Sequence, residues 1–97
     1  MKKDFKIKEN SVVARLGAWK LKTTRMALTI GHTIHLYNTS AEEFLRDPRW
    51  VKHELKHVDQ YEKYGLFNFL LRYAWQSLRH GYHNNRFEKE AREAEKM

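Results

Sequence analysis

The apolar pattern of this chain changes period once, at Asn38-Thr39-Ser40, and that break constrains the fold more than any other feature. Ahead of it Met26, Leu28 and Ile30 alternate with smaller or polar residues. Ile34 and Leu36 do so again after Gly31-His32, the pattern of strands covered on one face. VVARL at 12–16 and WKLKT at 19–23 share the Val, Thr and aromatic content of strands and are parted by Gly17-Ala18, so residues 12–38 read as an antiparallel meander. Behind the break apolar residues recur every three and four positions, which predicts helices over about 41–46, 48–64, 66–80 and 85–96. A sheet followed by helices is the α+β class.

Local chemistry sets the helix ends. Ser40 or Thr39 can cap a helix whose first turn carries Glu42 and Glu43, acidic residues suited to the positive end of the helix dipole. Pro48 fits a first turn, where its missing N–H is not needed, and Gly65 closes the long helix. Along that helix Trp50, His53, Glu54, His57 and Tyr61 form one stripe, and Val51, Leu55 and Val58 form a second that is expected to dock on the sheet. The next helix, LFNFLLRYAWQSL, is apolar nearly all round. It is too short to span a bilayer, and its expected role is core packing, with a membrane surface or partner groove as the other reading.

With 97 residues the chain fits one domain, 1–97, sharing a single core. It has no cysteine, so disulfides and thiolate metal sites are excluded and any transition-metal site must be built from His, Asp and Glu. The net charge is +7, and residues 1–25 hold eight Lys or Arg against Asp4 and Glu9. Such a patch can meet nucleic acid, an anionic membrane or an acidic partner, or simply be a solvated surface. The run Lys2-Lys3-Lys6-Lys8 has only Phe5 as an interleaved aromatic and no nucleic-acid module signature is present, so specific nucleic-acid binding is not expected. No apolar run follows the basic start and no stretch has transmembrane length, which favours a cytoplasmic location.

The stretch HELKH, 53–57, places His53 and His57 one helical turn apart, so that both imidazoles can share a zinc ion. Glu54 stands beside the first of them, where a general base for a polarised water belongs, and a peptide or protein is the corresponding substrate. A catalytic zinc takes three protein ligands, and 57–63 (HVDQYEK) lacks the extension that would supply a third histidine. The candidates are Glu88, Glu90, Glu93 and Glu95 in FEKEAREAE.

His53-Glu54-x-x-His57 followed by Glu88-Lys89-Glu90-Ala91 resembles the gluzincin plan of metallopeptidases, in which a separate glutamate helix completes the zinc site. EKEAR is similar to the E-x-E-A-D string of the membrane prenyl-protein peptidases and their soluble relatives, whose first glutamate binds zinc, and this implies Glu88 as the third ligand. Arg92 stands where those families carry an aspartate that steadies a zinc histidine, which leaves Asp59 or Glu95 for that task. At this length the chain resembles the minigluzincins, and also small bacterial proteins sharing a HELxHVxQ helix; the overlap covers about 48–95. The resemblance implies a small zincin-like domain, Zn2+ as cofactor and endopeptidase activity, possible also in a latent form if the tail after Glu88 blocks the cleft. Tyr82 and His83 become candidate oxyanion stabilisers, and the strand His32, Thr33, Ile34, His35, Leu36 and Tyr37 a candidate exposed edge for an extended peptide. The alternative is a non-catalytic zinc-binding or protein-interaction domain that keeps such a site.

Overall fold

The computed structural model describes residues 4–97, so Lys2 and Lys3 of the basic run lie outside the described residues. The elements are β1 (Lys6–Lys8), α1 (Val12–Leu21), β2 (Met26–Ile30), β3 (Thr33–Tyr37), α2 (Ala41–Leu45), α3 (Pro48–Tyr64), α4 (Leu66–His80) and α5 (Arg86–Ala94). The class is α+β, with a three-stranded sheet of order β1-β3-β2. β2 and β3 are antiparallel, from Met26 opposite Tyr37 to Ile30 opposite Thr33. β1 runs parallel to β3, with Ile7 opposite Ile34.

The sheet differs from the expected four-strand meander. VVARL and WKLKT are not strands: they are one helix, α1, and the sheet begins at Lys6, inside the basic start. The deciding residues are small ones. Ala14 and Ala18, one helical turn apart, are buried against Met26, whereas the β-favouring Val12, Val13, Leu16 and Trp19 are exposed. Ser11 caps the helix by accepting from the Ala14 N–H, and Lys22 ends it in the left-handed conformation. A Cβ on Gly17 would meet the Met26 methyl at 3.4 Å, ordinary contact with the end of a flexible side chain, so α1 and β2 pack closely here.

The sheet is therefore covered on both faces. Ala27, Ile34 and Leu36 pack with Phe44, and Trp50 and Val51 of α3 close over them. Met26, Leu28 and Tyr37 pack on α1 instead. The two alternating runs read from the sequence thus point to opposite faces. A second consequence concerns the candidate substrate strand: β3 is paired along both sides, so His32–Tyr37 is not an exposed edge, and the edge strand beside α3 is β2.

The helical half follows the capping chemistry. Ser40 forms a capping box with Glu43, Asp47 accepts from the Trp50 N–H with Pro48 in the first turn, and Gly65 at φ +82° separates α3 from α4. Val58 is fully buried in α3. A third cluster of Tyr61, Phe69 and Phe87, flanked by Tyr64 and Tyr73, joins α3, α4 and α5. Only Phe69 of α4 is buried, so the expectation that this helix is core all round does not hold. No helix among the described residues is long and apolar enough to cross a membrane.

Candidate metal centre

Two helices bring three side chains to one point. His53 and His57 project from the same face of α3, and Glu88 sits in the first turn of α5, where the helix dipole favours a carboxylate. Asn85 fixes that turn: its side-chain oxygen caps α5 at the Phe87 N–H, and its amide donates to the Tyr73 carbonyl and to the Ser77 hydroxyl of α4. Ligand atoms of His53, His57 and Glu88 all lie within 4.8 Å of one another. Glu88 Oε1 is 3.0 Å from His53 Nε2 and 3.2 Å from His57 Nε2. Donor atoms around a tetrahedral zinc stand about 3.3 Å apart, as bonds of about 2.0–2.1 Å require.

The surrounding hydrogen bonds assign the imidazole tautomers. Gln60 donates its amide to the Phe87 carbonyl and to Glu90, which turns its oxygen toward His57 Nδ1 at 2.8 Å. His57 Nδ1 must then carry the hydrogen. His53 Nδ1 donates in the same way to Glu95 at 2.6 Å. In the neutral tautomers so fixed, both Nε2 lone pairs point at a carboxylate oxygen, and three acceptors meet with no donor among them. Protons on the imidazoles or a metal ion would each resolve this. Tyr73 donates to Glu88 Oε2 at 2.5 Å and so leaves Oε1 to the histidines.

The protonation energetics describe the proton-bound alternative. Burial alone would lower the pKa of His57, but the hydrogen bond and charge of Glu88 outweigh it and raise it to about 9. His53 moves upward for the same reason, with Glu95 contributing. Burial opposes the Glu88 charge, yet the two imidazoles hold its carboxyl well below the usual range. The acid is thus ionised and ready as a ligand.

Glu54 is 4% exposed, and its carboxylate accepts from the Thr29 hydroxyl of β2 at 2.8 Å. Burial pushes its pKa upward, while the two histidines pull the other way. A cleft of about 310 Å³ opens on it, bordered by Leu28, Leu70, Tyr82 and the three converging side chains. Tyr82 stands at this cleft; His83 is exposed outside it, with its carbonyl accepting from Arg92. In β3, His35 faces α1 and meets the Ser11 hydroxyl at 2.8 Å, and His32 reaches Glu62 on the surface. The tail after α5 runs to Lys52, whose ammonium contacts the Met97 carbonyl.

Sequence reasoning did not find the roles of Gln60, Tyr73, Thr29 and Asn85. Gln60 was legible in principle, since it follows His57 by three positions on the same helix. Tyr73 and Thr29 carry no local signal, because their contacts with Glu88 and Glu54 depend on how separate elements pack. Of the two candidates for steadying a histidine, Glu95 holds His53. Comparison with known protein families, characterised proteins and solved structures gave no match.

Proposed function

We propose that the chain is a zinc-dependent metallopeptidase of the gluzincin plan, with His53, His57 and Glu88 holding the ion. The observation that carries this reading is the meeting of three potential ligand atoms within 4.8 Å of one another, on side chains whose other polar atoms are already engaged elsewhere. A bound zinc would supply Lewis acidity, polarising a peptide carbonyl and acidifying a water.

The protein's own residues supply the rest. Glu54, desolvated at the floor of the cleft and held by Thr29, is the group to take a proton from the attacking water and return it to the leaving amine. Tyr82, at the cleft and with its hydroxyl pKa pushed up by partial burial and the Glu88 charge, is the available donor toward a developing oxyanion. β2 is an edge strand that borders the same cleft, so an extended peptide can pair with its free side. Glu54→Gln should retain zinc and lose peptide cleavage by about a hundredfold or more. Equal cleavage by variant and wild type would refute the role of Glu54.

A non-catalytic reading rests on a different observation: the same side chains tie α3 to α5 through His57, Glu88 and Gln60, so an ion there would also brace the two helices. The Glu54→Gln comparison separates the two, because a bracing site has no turnover to lose.

A further inference from the structure

We propose that the outer face of α4 seats in an anionic lipid surface. Phe67, Leu71, Ala74 and Leu78 follow one another at spacings of four, three and four, which places them in a single stripe along the helix. The stripe faces away from Phe69, the residue by which α4 joins the core. Phe67 is 78% exposed, Leu71 73%, Leu78 85% and Trp75, beside them, 60%. Four large apolar side chains on one helix face, on a chain this small, form a surface that water disfavours.

The charge beside the stripe selects the partner. α4 contains no acidic residue, and Arg72 and Arg79 lie along one flank of the stripe. Arg79 reaches over the Trp75 ring, 5.9 Å from its centroid, and Arg72 over Tyr64 at 4.9 Å, so guanidinium and aromatic groups sit side by side at the rim. A shallow hollow of about 230 Å³ on the same flank is bordered by Leu71, Arg72, Trp75 and Arg86. Arg86 is paired with Glu90, which leaves Arg72 as the cation there for a phosphate headgroup. An apolar face of Phe, Leu and Trp with cations at its edge matches helices that lie in the interfacial plane of a bilayer. A second copy of the chain is a poor match, since each copy carries a net charge of +7 and brings the same arginine flank to the contact. Anionic lipid satisfies the stripe and the arginines together.

The test is sedimentation of the full chain with vesicles of phosphatidylcholine alone or with phosphatidylglycerol added, at low and high salt. Wild type should partition onto the phosphatidylglycerol vesicles at least tenfold better than onto the neutral ones, and high salt should weaken the binding. Leu71→Ser/Leu78→Ser and Arg72→Gln/Arg79→Gln should each lose most of that partitioning while keeping the wild-type circular dichroism and melting temperature. No partitioning by wild type, or partitioning that survives both double variants, would overturn the proposal. A wild-type dimer in ultracentrifugation that Leu71→Ser/Leu78→Ser dissociates would assign the face to a second copy instead.

Discussion

The two sides of α4 reverse the usual distribution of residues. Its inner side carries Tyr73 to a buried Glu88, in an interior that also holds Glu54, His57, Gln60 and Asn85; its outer side offers Phe67, Leu71, Trp75 and Leu78 to solvent. Charged side chains are rarely fully buried without partners, and here each has them. The inner side is costly in isolation and secured by a closed network; the outer side has no such closure among the described residues. Departures from local folding rules often collect at functional places, and the comparison marks two such departures on one helix.

The inner network gives the largest expected effects. Glu88→Ala in metal-free protein removes the counter-charge of the buried His57 imidazole and the half-buried His53 imidazole and should cost about 3 kcal/mol in urea denaturation. An unchanged midpoint would show that the network adds nothing to stability.

Next comes pH. His57 is raised from 6.5 to about 9 on folding, so its contribution to the metal-free protein is complete below about pH 6.5 and lost as pH rises through 9. Glu88 is shifted downward, and its contribution is present above the ordinary carboxylate range and lost only in acid. Metal-free protein should therefore lose about 2 kcal/mol of stability between neutrality and pH 9. Metal binding should strengthen over the same interval, because the ion competes with protons for the imidazoles. Parallel slopes for the metal-free and metal-supplied protein in thermal melts would contradict shared use of these nitrogens.

Tyr73→Phe removes the hydroxyl that orients Glu88 and should weaken metal binding by about tenfold, read by competition with a chromogenic chelator. The smallest effect belongs to the outer side. Leu71→Ser/Leu78→Ser should change the stability of the chain by no more than about 0.5 kcal/mol per site, since both residues are exposed. A larger loss would mean that the stripe packs against the chain itself.

The helical half of the fold was legible because its signals are local: the Ser40 cap, Pro48 and Gly65 each act within a few residues. The α1 segment was misread because its Val and Trp residues favour strands, and the helical spacing of Val12, Leu16 and Trp19 falls on the exposed side while only Ala14 and Ala18 are buried. β1 was not legible at all, since Lys6, Ile7 and Lys8 become a strand only by pairing with β3. The candidate ligands could be named from one motif and one glutamate-rich helix. Of what holds them in place, Glu95 was among the candidates, but Gln60, Thr29 and Tyr73 were not; the contacts of Thr29 and Tyr73 with Glu54 and Glu88 depend on how separate elements pack. α4 shows the limit of composition: an apolar helix reads as core until packing decides which of its residues have neighbours.

The most direct test of the metal centre is zinc per chain by elemental analysis after dialysis, for wild type, Glu88→Ala and Glu90→Ala. The account predicts about one zinc in wild type and in Glu90→Ala, and almost none in Glu88→Ala. Wild type that holds no zinc after it is supplied, or Glu88→Ala that holds as much as wild type, would contradict it.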